Sequence, residues 1–194
     1  MKIGILSLQG AFREHHWAIE RCGATAVDIR KASELDAIEG LILPGGESTT
    51  IGKLLVEWNL LPKILERAAQ GMAIYGTCAG MILLAKKIID SDQPRLGLMD
   101  ITVRRNAFGR QKESFEADLV VPELGPAPIK AVFIRAPLIE AADPAVTILA
   151  SVNEKAVIAR QKNFLVSSFH PELTGDDRLR HYFIKMAQEK NLSL

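Results

Sequence analysis

Residues Met72-Ala73-Ile74-Tyr75-Gly76-Thr77-Cys78-Ala79-Gly80-Met81-Ile82-Leu83-Leu84 read as a buried strand, a tight turn and the start of a helix. Met72–Tyr75 is apolar throughout, as in a strand covered on both faces. Gly76 and Gly80 flank Cys78 by two positions on either side, where a sharp strand-to-helix turn leaves no room for side chains. The helix is predicted from Ala79 to about Lys87. This turn has the form of a nucleophile elbow with Cys in place of Ser. It would set the sulfur at a helix N-terminus, where backbone N–H groups and the helix dipole favour thiolate. The bland reading is a small-residue turn around an inert buried cysteine.

The same strand–helix unit recurs on the N-terminal side. Ile3–Leu8, Ala26–Arg30 and Gly40–Leu43 read as strands. Phe12–Cys22 reads as a helix closed by Gly23, and Thr50–Trp58 and Pro62–Gln70 as further helices. Alternation of this kind predicts an α/β fold, a mostly parallel sheet with helices on both faces. The C-terminal half changes character. Ile101–Arg105, Phe115–Val121, Ala131–Ile134, Val146–Val152, Ala156–Arg160 and Phe164–Phe169 are strand-like, and a helix from about Asp176 to Lys190 closes the chain. The sheet should therefore gain antiparallel strands late. Pro122–Pro128 is too short for a linker, so one domain over 1–194 is expected.

Composition narrows the setting. The 194 residues are 48% hydrophobic and 24% charged, with 24 basic against 23 acidic residues. A net charge of +1 offers no polyanion-binding surface, so nucleic acid is not an expected partner. No apolar run approaches the roughly 18–20 residues of a membrane span. Two cysteines, Cys22 and Cys78, do not make a disulfide framework. With a strand pattern beginning at the first residues, a cytoplasmic location is expected.

Two further stretches carry chemistry. His170-Pro171-Glu172 follows the last predicted strand. In an extended segment His170 and Glu172 face the same space, and a carboxylate beside imidazole fixes its tautomer and stabilises its protonated form. Alone, the tripeptide reads as a solvated loop; with the elbow, it reads as the base and its orienter. Pro44-Gly45-Gly46-Glu47-Ser48-Thr49-Thr50 also lies between strand and helix. Adjacent glycines can present N–H groups to an oxyanion, and no Gly-Lys-Ser/Thr makes it a P-loop. Ser48 is the expected N-cap there. His15, His16 and His181 fall on helices as surface or packing residues, and adjacent His15-His16 makes a poor metal site. Cys22 reads as a core filler, and Trp17 and Trp58 as core residues of helix faces.

Taken with Leu8-Gln9-Gly10-Ala11, Arg105-Asn106-Ala107-Phe108-Gly109-Arg110-Gln111 and Phe133-Ile134-Arg135-Ala136-Pro137, these stretches resemble the triad-type glutamine amidotransferases. Among them the wording is similar to the glutaminase subunits of pyridoxal 5′-phosphate synthase, over nearly the whole chain. The resemblance implies a flavodoxin-like, doubly wound α/β domain that hydrolyses L-glutamine to glutamate and ammonia. It implies Cys78 as nucleophile, His170 as proton shuttle and Glu172 as its orienter. The N–H groups of Gly46 and Ala79 would form the oxyanion hole. Gly46, Glu47, Ser48, Arg105, Ile134 and Arg135 would hold the substrate; from residue type alone, the two arginines read equally well as surface cations. No metal or organic cofactor is implied. The implied partner is the barrel-shaped synthase subunit, with Gln9 and Gly10 expected at the interface because their loop lies at the ligand-binding edge of the sheet. The rival readings are a glutaminase serving a different synthase, a cysteine hydrolase of similar fold and a silent interaction protein.

Overall fold

The computed structural model describes residues 1–105 and 114–191. Its elements run β1 (Lys2–Leu6), α1 (Phe12–Arg21), β2 (Thr25–Ile29), β3 (Gly40–Leu43), α2 (Ser48–Glu57), α3 (Leu60–Ala69), β4 (Ala73–Thr77) and α4 (Ala79–Leu84). The second half adds β5 (Ala85–Ile88), β6 (Met99–Arg104), β7 (Ser114–Leu119), β8 (Ile129–Ile134), β9 (Leu138–Ala142), β10 (Thr147–Val152), β11 (Lys155–Gln161), β12 (Phe164–Ser167) and α5 (Arg178–Asn191).

The main sheet has the order β2-β1-β3-β4-β12-β11-β9-β6-β5, with β10 also paired to β11. Strands β2, β1, β3, β4 and β12 are mutually parallel. This is the doubly wound order 2-1-3-4-5 of flavodoxin-like sheets, with β12 in fifth place. The late antiparallel additions are present: β11 against β12, β9 against β11 and β6 against β9. Strands β7 and β8 form a separate antiparallel ribbon.

Period-two alternation sends each parallel strand's side chains to two cores. Ile3, Ile5, Ile42, Tyr75 and Leu165 face the side covered by α1, α5 and the β7–β8 ribbon. Leu6, Leu41, Leu43, Ile74 and Val166 face α2, α3 and α4. Among the described residues no helix is long and apolar enough to cross a membrane.

Three expectations need correction. The helix after Cys78 stops at Leu84, not near Lys87: Ala85 turns extended (ψ 137°) and β5 pairs in parallel with β6. Strand pairing overrides the helical propensity of the two lysines, and a register shift between Ala85 and Lys87 leaves both lysines exposed. Strand β9 is additional to the expected strands, because Leu138-Ile139-Glu140-Ala141-Ala142 lacks alternation; its pairing with β6 supplies the order. Trp17 and Trp58 are 59% and 45% exposed, not core. The buried stripe of α1 is His15, Ala18 and Ile19, and Trp17 falls beside it.

Candidate active site

Strands β3, β4 and β12 lie side by side in parallel, with Leu43 opposite Gly76 and Ser167 opposite Thr77. Their C-terminal ends therefore reach one edge together, and each chain continuation delivers a motif there. Strand β4 runs into Cys78, β3 into Pro44–Ser48, and β12 into His170. Motifs far apart in the chain become neighbours through register alone.

The turn at Cys78 is tight, as expected, and strained. Cys78 has φ 49°, a left-handed conformation uncommon for a side-chain-bearing residue. Its N–H donates to the Ser167 carbonyl at 2.8 Å. A Cβ on Gly80 would lie 2.0 Å from the Leu43 carbonyl oxygen, and one on Gly76 would lie 2.5 Å from backbone atoms of Gly80. Neither position accepts a side chain.

His170 is fixed from several directions. Its N–H donates to Val132 O at 2.8 Å, and the preceding Phe169 ring packs against Phe133 at 5.5 Å. Nδ1 lies 2.7 Å from Glu172 Oε1. The two residues are brought together by a 3-10 turn over Pro171–Leu173, rather than by an extended segment. A Cβ on Gly45 would meet the His170 ring at 2.4 Å, so the ring packs on bare glycine backbone. Burial pulls the His170 pKa down, but hydrogen bonds to Cys78 and Glu172 outweigh it and push it up to about 10. For Glu172, burial raises the pKa, and the rings of His15 and His170 more than offset that, leaving it below the usual carboxylate range.

Cys78 and His170 open into a cavity of about 260 Å³. Gln9, Gly46, Glu47, Ser48, Ala79, Ile82, Arg105, Ile134, Arg135 and Pro137 complete its lining. Each residue expected to hold substrate is thus at the pocket wall. Glu172 stands behind His170, with its side chain fully covered. Arg135 adopts φ 44°, a second strained residue at the rim. The stretch Asn106–Gln111 that follows Arg105 lies outside the described residues.

The Gly45-Gly46 loop is clamped by Gln9 and Gly10. The Gly45 carbonyl accepts from Ala11 N–H at 3.0 Å, and Glu47 N–H donates to Gln9 Oε1 at 2.8 Å. Gly10 is exposed with φ 101°, and a Cβ there would lie 1.9 Å from Gly45 O. Gln9 faces the pocket and Gly10 lies outside its lining. Glu47, not Ser48, occupies the N-cap position of α2, because the Ser48 hydroxyl is turned to Gln93.

Two residues emerge that sequence reasoning missed. Gln93 is buried, and its Oε1 accepts from Ser48 Oγ at 3.3 Å, Thr49 Oγ1 at 3.1 Å and Arg105 at 3.1 Å. It ties the α2 N-terminus to the Arg105 guanidinium, and nothing in its own surroundings in the sequence marks it. Of the surface and packing readings His15 takes the second, being fully buried, but its polar partners were not foreseen: Nε2 lies 3.1 Å from Thr77 Oγ1 and 3.3 Å from Glu172 Oε2. Its place on the apolar stripe of α1 is the signal that could have found it. His16 pairs with Asp28 at the surface, His181 is exposed, and Cys22 is half-buried.

The chain is 57% identical to the pyridoxal 5′-phosphate synthase subunit PdxT of Carboxydothermus hydrogenoformans, covering 95% of this chain and 97% of that one. It is 53% identical to the PdxT of Geobacillus kaustophilus, covering 100% and 98%. A crystal structure of a glutamine amidotransferase superposes with a TM-score of 0.92 at 48% identity, covering 96% of this chain and 98% of that one. The structure of PurLQS from Thermotoga maritima contains a chain that shares the fold at TM-score 0.69 and 18% identity, covering 95% and 97%. Residues 5–189 match the SNO glutamine amidotransferases, and the chain belongs to that family.

Proposed function

We propose that this chain hydrolyses L-glutamine at Cys78 and passes the ammonia to a pyridoxal 5′-phosphate synthase subunit. The observation that carries the reading is that Cys78 and His170 line one pocket of amino-acid size, with His170 Nδ1 held 2.7 Å from Glu172 Oε1. The Cys78 sulfur, its proton held by His170, attacks the carboxamide carbon of glutamine. The N–H groups of Gly46 and Ala79 face the oxygen on which charge develops. His170 then returns the proton to the leaving nitrogen, the C–N bond breaks, and ammonia departs from a thioester. Water, deprotonated by the same imidazole, releases glutamate and restores the thiol. Glu172 holds His170 with Nδ1–H towards itself and Nε2 towards the sulfur.

Glutamine brings an α-carboxylate and an α-ammonium. Arg105 and Arg135 suit the first, and Arg105's partners among the described residues are the neutral oxygens of Thr49 and Gln93, so its charge stays free for a carboxylate. Glu47 at the pocket wall suits the second, with Gly46, Ser48 and Ile134 shaping the remainder. A thiol that must stay reduced fits a cytoplasmic setting, and one domain over 1–194 carries the whole site.

Gln9 and Gly10 sit at the sheet edge and hold the Gly45-Gly46 loop, so a synthase docking there would set the oxyanion donors. One donor is worth roughly 10²–10³ in rate. Glutamate release from L-glutamine is the test, measured on the chain alone and with excess synthase subunit. The expected result is low turnover alone and a rise of tens-fold with the partner, blunted in Gln9→Phe. Absence of glutamate release under both conditions would remove the reading.

A further inference from the structure

His15 occupies a place where leucine would serve packing better. It lies on the buried stripe of α1 with Ala18 and Ile19, and none of its surface is exposed. Burying an imidazole among apolar neighbours carries a desolvation cost that only a polar partner offsets. Its partners are the two groups adjoining the reacting pair: Thr77, the residue before Cys78, and Glu172, the residue that orients His170.

The protonation state follows from these partners. Burial lowers the His15 pKa, and the nearby Arg180 and His170 cations lower it further against the pull of Glu172, so the ring is neutral. Nδ1 is buried with no partner among the described residues. An N–H there would be an orphaned donor, and a bare Nε2 lone pair would face a carboxylate oxygen. The proton therefore belongs on Nε2, between Thr77 Oγ1 and Glu172 Oε2. Glu172 Oε1 is taken by His170 at 2.7 Å, whereas Oε2 is buried and has no well-aligned donor of its own. His15 Nε2–H is the group facing it.

We propose that His15 is a positioning residue for the Glu172 carboxylate: its Nε2–H, bonded to Thr77 Oγ1, presents its positive end to Oε2 at 3.3 Å, so that Oε1 stays aligned on His170 Nδ1. The inference rests on the reading of Cys78, His170 and Glu172 given above. It extends the line from sulfur to carboxylate by one member, contributed by α1. That helix begins directly after the Gln9-Gly10 loop, so the residue behind Glu172 and the residues clamping the Gly45-Gly46 loop belong to one continuous segment.

The test uses substitutions that differ in which nitrogen they replace. Gln places an amide N–H near the position of Nε2, Asn near that of Nδ1, and Leu keeps volume without any donor. Glutaminase kinetics are measured on the full chain with excess synthase subunit, alongside melting temperature. His15→Asn and His15→Leu should lower kcat by about tenfold or more, a part of what an aligned general base contributes, with KM for glutamine within about threefold of wild type. His15→Gln should recover most of that kcat. Wild-type kcat in His15→Asn or His15→Leu would overturn the proposal. So would an equal loss in His15→Gln and His15→Asn, or failure of all three variants to fold, because each outcome indicates a packing role. Cys78→Ala run in parallel separates the two claims. Turnover abolished there but untouched in the His15 variants removes this inference alone, whereas turnover surviving in Cys78→Ala removes the reading beneath it.

Discussion

Cys78 donates its backbone N–H to the carbonyl of Ser167 at 2.8 Å, which stitches the strand ending in the thiol to the strand leading to the imidazole. The distance between Cys78 and His170 is thus set by backbone pairing within a sheet, before any side-chain contact is made. Sites on strand ends hold geometry more tightly than sites on free loops.

The elbow should be intolerant of a single methyl. Gly80→Ala drives a Cβ to 2.0 Å from Leu43 O, a backbone atom that cannot step aside. A destabilisation of about 2 kcal/mol or more is expected, measured by urea unfolding, together with loss of turnover. Gly175→Ala, with nothing within 4 Å of the added carbon, should leave stability within about 0.5 kcal/mol.

Stability should pass through a maximum near neutral pH, with different histidines responsible for its two sides. His170 is raised to about 10 in the folded chain, so its contribution is complete below the unfolded value near ~6.5 and is lost as pH rises towards 10. His15 is lowered, so the unfolded chain binds its proton first and stability falls as pH drops below ~6.5. Melting temperatures from about pH 5 to 10 should show His170→Asn flattening the alkaline side and His15→Gln the acid side. Unchanged profiles in both variants would contradict these assignments.

Gln93 should matter to glutamine binding rather than to chemistry. Gln93→Leu keeps a buried side chain but removes the acceptor shared by Ser48, Thr49 and Arg105. The expected effect is a KM for glutamine raised about tenfold, the equivalent of one charge-assisted hydrogen bond, with kcat changed less. Arg105→Met should act in the same direction and, combined with Gln93→Leu, add little, because the two act through one contact.

Much of this was legible in the sequence because it depends on local rules. The parallel half of the sheet follows from apolar runs punctuated by glycine and proline, and the glycines around Cys78 announce a turn that tolerates nothing larger. The residues expected to hold substrate came from the family resemblance, since residue type alone left Arg105 and Arg135 equally readable as surface cations. What sequence could not show depends on register and long-range contact. Strand β9 has no alternation and exists because β6 and β11 flank it. Lys86 and Lys87 look helical until β6 pairs with their strand. His15 takes its meaning from Thr77, 62 positions away, and Gln93 from Ser48, 45 positions away. Trp17 reads as core because the stripe that turns inward on α1 contains a histidine, which a purely apolar reading passes over.

The central claim is that Cys78 carries the acyl group of glutamine. The direct measurement is rapid acid quench of the chain with isotopically labelled L-glutamine and excess synthase subunit, followed by peptide mass spectrometry. The account predicts a glutamyl thioester on the peptide containing Cys78, none on the peptide containing Cys22, and neither adduct nor glutamate release in Cys78→Ala, with turnover lower by on the order of 10⁴-fold. Substantial turnover in Cys78→Ala, or an adduct on any other residue, would contradict it.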